Sequence, residues 1–385
     1  MSRRTHKKSR NGCIECKRRH IKCDERWPVC SNCLSSERQC DFVGLPLPEG
    51  SSPSTSHEFT SPSPATNSPA QNSTPHLTGF SDDAPVNMLH VELFYHIVLE
   101  STNWIDTPDL ISEVSFPDLL RGGMNAPYLM NALLAFSALH LSIVKPERRD
   151  FYRHHASQLQ TYALNSFNRL PPQIDEDTCI PAFLFAAVLG LYLLCDTLVF
   201  REGNFEVFLD RFVQYVSLHQ GVRTIAADGR WDILQQTALK PFLKLNMQIL
   251  LMHVDFGPIC KTLIERIQAS ETNEARLQIY REAVHALQSV MTAIDTGSSR
   301  NGGIGALVAW PVLVPREYVK LVAARQGEAL VILAHYGALI HPSREKWMFQ
   351  DGGEFLIKSV RQYLGPSWQE WLGWPLGMLA ETNSL

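Results

Sequence analysis

The 385-residue sequence predicts three parts: a small cysteine-built domain of two short helices and loops, a disordered linker, and a large all-α domain. Three observations carry this division. Six cysteines between positions 13 and 40 repeat one pattern of gaps. A stretch rich in Ser, Pro and Thr follows them. Beyond it, apolar side chains recur at steps of three and four, as a helix face requires. The expected boundaries are a basic arm at 1–12, the cysteine domain at 13–42, the linker at 43–85 and the helical domain at 86–385.

Two residues separate Cys13 from Cys16 and six separate Cys16 from Cys23; Cys30, Cys33 and Cys40 repeat both gaps. The segment is therefore two copies of one half. Thiols at this density point to disulfides, zinc or a redox pair. Disulfides require an oxidising compartment, and no apolar stretch stands behind the charges of MSRRTHKKSR. Zinc is the better reading, since its structural sites take four tetrahedral ligands, commonly thiolates. Six cysteines serve two such sites if two sulfurs bridge both metals. The repeat nominates the first cysteine of each half. Cys13, Cys16, Cys23 and Cys30 would hold one ion, and Cys30, Cys33, Cys40 and Cys13 the other. The alternative is one four-cysteine zinc with two idle thiols.

The spacing resembles the fungal zinc binuclear cluster family of DNA-binding modules. The likeness covers residues 13–40 and includes the basic run Lys17-Arg18-Arg19-His20-Ile21-Lys22, Asp24 after the third cysteine, and Pro28. It implies two Zn2+ per chain, a nuclear sequence-specific transcription regulator, and double-stranded promoter DNA as partner, with CGG-like sites. In the family, bases are read by the third and fourth residues after the second cysteine, here Arg19 and His20. His20 departs from the lysine of the yeast galactose regulator. Lys17, Arg18 and Lys22 are expected on DNA as well, with phosphate contact or neutralisation of the anionic cluster as the simpler role for Arg18 and Lys22.

The charge balance agrees with a nucleic-acid partner. Residues 1–40 carry a formal charge of +7, whereas the whole chain is −4, which leaves −11 for residues 41–385. A basic end on an acidic body is the footprint of DNA binding, because Lys and Arg release counterions from phosphate. Base specificity needs more: an arginine can bond guanine O6 and N7 together in the major groove. The arm from Arg3 to Arg10 could trail along phosphates or act as a nuclear import signal.

Between Pro46 and Pro85 stand eight Pro, nine Ser and five Thr, with no Lys or Arg. Such a composition cannot bury enough apolar surface to offset ordering entropy. No heptad pattern occurs there. Many members of the family pair through a coiled coil in this place, so a monomeric or loosely paired DNA complex is expected.

The body reads as ten or more helices. Phe205, Phe208, Leu209, Phe212, Tyr215 and Val216 form one apolar face. Asn125–Val144 begins with Asn125 as a cap and Pro127 in the first turn. Glu147–Leu170, Glu271–Asp295, Arg316–Arg325 and Glu328–His341 are further helices. Cys179–Phe200 is nearly long enough to cross a membrane, but Pro181 and Asp196 oppose this, and a buried central helix is expected instead. Cys179, Cys195 and Cys260 lack metal spacing and read as core residues, as do His140, His253 and His335.

Scattered stretches of the body, Pro127–Leu141, Ser217–Ile225, Ala309–Val314, Ala329–Ala338 and Leu364–Pro375, resemble the regulatory domain of the sterol uptake control proteins. That likeness implies an all-α domain and, as an alternative function, a lipid-responsive sensor. Trp310, Trp347, Trp368, Trp371 and Trp374, beside Gly352 and Gly353, could wall an apolar pocket. Ordinary core packing, with Trp368, Trp371 and Trp374 as one helix stripe, is the competing reading, and no ligand residue is named. An enzyme with an appended zinc module is a further alternative. No G-x-S-x-G, H-E-x-x-H or P-loop pattern supports it.

Overall fold

The computed structural model describes residues 13–19, 21–24, 30–34, 36, 40, 86–104, 123–170, 176–221, 255–295 and 303–382. His20, Pro28, His253, the basic arm and the linker named above lie outside them. The chain divides into two compact units, Met1–Phe80 and Ser81–Leu385. The described residues are helical and contain no strand.

The first unit holds two single-turn helices, α1 (Ile14–Arg18) and α2 (Ser31–Leu34). They are packed around a core made of cysteines alone.

The second unit begins with α3 (Met88–Trp104), followed by α4 (Pro127–Val144) and α5 (Arg149–Phe167). Pro127 occupies the first turn of α4, as expected, because its missing N–H is one that a helix start leaves unbonded anyway. Asn125 is not the cap. Ala126 takes that position without a side-chain bond, and the expected helix from Glu147 starts as a 3-10 turn, Pro146–Arg148.

α6 (Glu176–Val199) is the apolar helix around Cys179–Phe200. Both α4 and α6 are long and apolar enough to cross a membrane, yet 72% and 61% of their apolar windows are buried inside the fold. Asp196 is paired within the protein, accepting from Arg211 at 2.7 Å and from Arg153 at 3.5 Å.

α7 (Phe205–His219) opens with Asn204, whose Oδ1 accepts the Val207 N–H at 3.1 Å. Phe208, Leu209, Phe212, Tyr215 and Val216 are buried, the face expected from spacing. His219 extends that face onto α6, where its ring fills the space a Cβ on Gly190 would need, at 2.2 Å.

The C-terminal half comprises α8 (Pro258–Ser270), α9 (Glu274–Asp295), α10 (Ile304–Leu313), α11 (Arg316–Ala323), α12 (Gly327–Ile340), α13 (Gly352–Leu364) and α14 (Gly373–Thr382). α12 is buried almost all round and packs against α9, α11, α13 and α14. Pro311 inside α10 cannot donate to Leu307 O, and the Tyr336 hydroxyl of α12 donates there instead at 2.9 Å.

Candidate metal centre and nucleic-acid interface

α1 is held by the cysteine cluster at its N-cap, Cys13, and at its third residue, Cys16. Cys13 is the N-cap, with extended backbone, and its Sγ accepts the Cys16 N–H at 3.4 Å. Lys17 N and Arg19 N donate to Cys13 O and Glu15 O at 3.1 and 3.0 Å, and Ile21 N then returns to Cys16 O. α2 repeats the start: Cys33 N donates to Cys30 O at 3.0 Å and Ser36 N to Cys33 O at 3.2 Å. Asp24 joins the halves, its carboxylate accepting the Ser31 N–H at 3.2 Å.

The six sulfurs fall into two groups, Cys13 with Cys16, Cys23 and Cys30, and Cys13 with Cys30, Cys33 and Cys40. Within each group the ligand atoms all lie within 4.8 Å of one another. Cys13 Sγ stands 3.7 Å from both Cys30 Sγ and Cys33 Sγ, and Cys16 Sγ stands 3.6 Å from Cys30 Sγ. A disulfide would need about 2.05 Å. Tetrahedral Zn–S bonds of about 2.3 Å place the sulfurs of one site about 3.8 Å apart. The observed separations match that value.

Their electrostatics call for a cation. Burial pushes the Cys16 thiol up to about 12 and Cys40 up to about 11, and drives Cys33 upward too. Cys30 is burdened by burial as well, but hydrogen bonds led by the Cys33 N–H hold it down at about 6. Unaided, such packed thiols resist losing their protons together. Two divalent ions held here would supply the charge that lets all six sulfurs bind as thiolates.

Lys17, Arg18, Arg19 and Lys22 are all exposed. Arg18 closes a two-bond ion pair with Glu15 of the same turn, Nε at 2.9 Å and Nη2 at 3.0 Å. Arg19 Nη1 donates to Ser36 Oγ at 3.1 Å, and Asn32 Nδ2 donates to Lys22 O at 2.8 Å. Sequence reasoning passed over Glu15, Asn32 and Ser36. The repeat relates the partners of one of these links, since a shift of seventeen residues superposes Arg19 on Ser36.

The tryptophans do not form one wall. Trp310 is fully buried and stacks on Tyr336 at 4.1 Å. Trp347 lies against Phe136 and His140. Trp368 and Trp371 belong to a 3-10 segment, Pro366–Leu372, and Trp374 to α14, so no α-helical stripe exists. Gly352 and Gly353 are not a hinge beside a pocket. They start α13, where a Cβ on Gly353 would stand 2.5 Å from Gly337 O. One open cleft of about 370 Å³ does involve this region, lined by Ile259, Leu263, Arg266, His335, Trp371 and Trp374 among others. His335 stacks on Trp374 at 5.4 Å and its Nδ1 lies 2.9 Å from Val331 O.

Comparison with known proteins agrees with this geometry. Residues 11–46 match the fungal Zn(2)-Cys(6) binuclear cluster domain. Over 97% of its length the chain is 26% identical to a Zn(2)-C6 fungal-type transcription factor of Gibberella zeae, of which it covers 86%. Over 87% of its length it is 24% identical to the Zn(2)-C6 fungal-type transcription factor afumD of Aspergillus fumigatus, again covering 86%. Sterol uptake control protein 2 of Candida albicans is 51% identical over 45 residues, 12% of this chain and 6% of that protein, and this match is confined to the DNA-binding domain. The sterol likeness of the body is thus not carried by it. No solved structure matches. Residues 11–46 belong to the fungal Zn(2)-Cys(6) binuclear cluster family, and the chain that carries them is a DNA-binding transcription regulator built on two zinc ions.

Proposed function

We propose that this regulator is nuclear and sequence-specific, and that it reads promoter DNA through the first half of its cluster. Cys13 and Cys30 bridge the metals; Cys16 and Cys23 complete one site, Cys33 and Cys40 the other. Arg19 and His20 read bases, with CGG-like sites as the expected class. Lys17, Arg18 and Lys22 hold phosphate. The single observation that carries this reading is the pair of four-sulfur groups sharing Cys13 and Cys30, with a cationic turn directly behind Cys16. The second copy has Leu34, Ser35 and Ser36 where the first has Lys17, Arg18 and Arg19, so charge favours DNA at one half alone. Residues 1–12 serve as a basic arm, 43–85 as a connecting segment and 86–385 as a regulatory domain that recruits the transcription machinery and catalyses no reaction.

Selection of duplexes from a random pool, by the zinc-loaded full chain at near-physiological salt, tests the reading. A recovered motif is the expected result. Equal affinity for all duplexes overturns it.

The cleft beside His335, Trp371 and Trp374 favours a second reading of the body, as a sensor for an apolar small molecule, sterols included. Its aromatic walls suit an apolar guest. A ligand that binds the fold raises its melting temperature, and a panel of sterols that leaves the melt unmoved argues against sterols.

A further inference from the structure

The turn that carries the proposed base readers is pinned at both ends by the second half of the repeat, through Asn32 of α2 and Ser36 just beyond it. At its start, Arg19 Nη1 donates to Ser36 Oγ at 3.1 Å. At its end, Lys22 O accepts from Asn32 Nδ2 at 2.8 Å. Ser36 is itself fixed, because its hydroxyl donates to Asn32 O. One chain of bonds therefore runs from Lys22 through Asn32 and Ser36 to Arg19. Asn32 and Ser36 both come from the copy that lacks the Lys-Arg-Arg run.

We propose that Ser36 is a positioning residue for base recognition, its hydroxyl aiming the Arg19 guanidinium before DNA arrives. The inference rests on Arg19 reading a base. A guanidinium has five N–H donors in a rigid fork. Ser36 engages one on Nη1, so Nη2 and Nε keep theirs for a two-bond contact with guanine O6 and N7. An exposed arginine otherwise loses rotamer freedom when it docks, and a side chain already held loses less. The Ser36 hydrogen is committed to Asn32 O, so its oxygen is left as an acceptor toward Arg19. In this scheme the copy that lacks the Lys-Arg-Arg run has a use: it holds the basic one in shape.

The test compares the zinc-loaded full chain with Ser36→Ala, Ser36→Thr, Arg19→Ala and the double variant, on the selected duplex and on a scrambled one. Ser36→Ala is expected to weaken the selected duplex by roughly threefold to tenfold, the net worth of one ordinary hydrogen bond. The scrambled duplex and the salt slope should not change. Ser36→Thr keeps the hydroxyl and should restore most of the affinity. In the Arg19→Ala background Ser36→Ala should cost nothing further. Zinc content should stay at two ions per chain. Equal losses on both duplexes, a full loss in the double variant, loss of zinc, or no loss at all would each overturn the proposal. If Arg19→Ala weakens both duplexes alike, base reading by Arg19 fails and the inference falls with it. Failure of Ser36→Ala alone leaves Arg19 as reader and removes only Ser36.

Discussion

Cys13 does two things at once: its sulfur caps α1 by accepting the Cys16 N–H, and it stands in both sulfur groups. Cys40 stands in one group only. Cys13→Ala is therefore expected to lose both zinc ions, while Cys40→Ala should spare the site formed by Cys13, Cys16, Cys23 and Cys30; elemental analysis of the purified variants distinguishes them. Arg19→Ala should cost about 1–3 kcal/mol on the selected duplex and broaden base preference, as competition titrations against single-base variants would record. At the level of single residues the sequence revealed the sulfurs through their spacing, because ligand geometry tolerates few alternatives. It did not reveal Ser36 or Asn32, whose polar side chains look like any solvated pair until the second half folds beside the first.

Helices were legible where one face is buried and the other is not. The period of α7 could be read from Phe205 to Val216 because Glu206, Asp210, Arg211, Gln214 and Ser217 fall on its other side. The tryptophans near the C-terminus were not legible, for a geometric reason. A step of three fits one side of an α-helix and is also the repeat of a 3-10 helix, and Gly365, at φ +79°, with Pro366 sets the tighter winding. The cap of α4 was misplaced because Asn125 is a good cap by chemistry, while Pro127 fixes the helix start one residue later. Between α6 and α7, Gly190 is the seat of the His219 ring. Gly190→Ala should destabilise the body by about 1–3 kcal/mol, the usual cost of overpacking, measured by denaturant unfolding.

For the whole molecule, charge and composition divided the chain before any geometry did. Among the described residues both sulfur groups lie in the first unit, so chelation should abolish DNA binding and leave the helical circular dichroism of the body intact; a large loss of helix signal would contradict that independence. The body has its own dependence on pH. Burial holds His140, His219 and His335 down at about 4, against an unfolded value near 6.5. Between these values the unfolded chain binds protons that the fold refuses, so stability falls as pH drops from about 6.5 to about 4. Thermal melts across that window should show a falling midpoint, levelling below it. The same crowding governs the crossing of α12 and α13. Helices shift as rods, so a methyl group at Gly353 would lever α13 away from the Gly337 carbonyl over several turns. Gly352 rests against Leu198 of α6, so the displacement would reach a third rod. At that junction two hydrogen atoms set how near three helices can come, and inherited variation there has room only if its neighbours change in step.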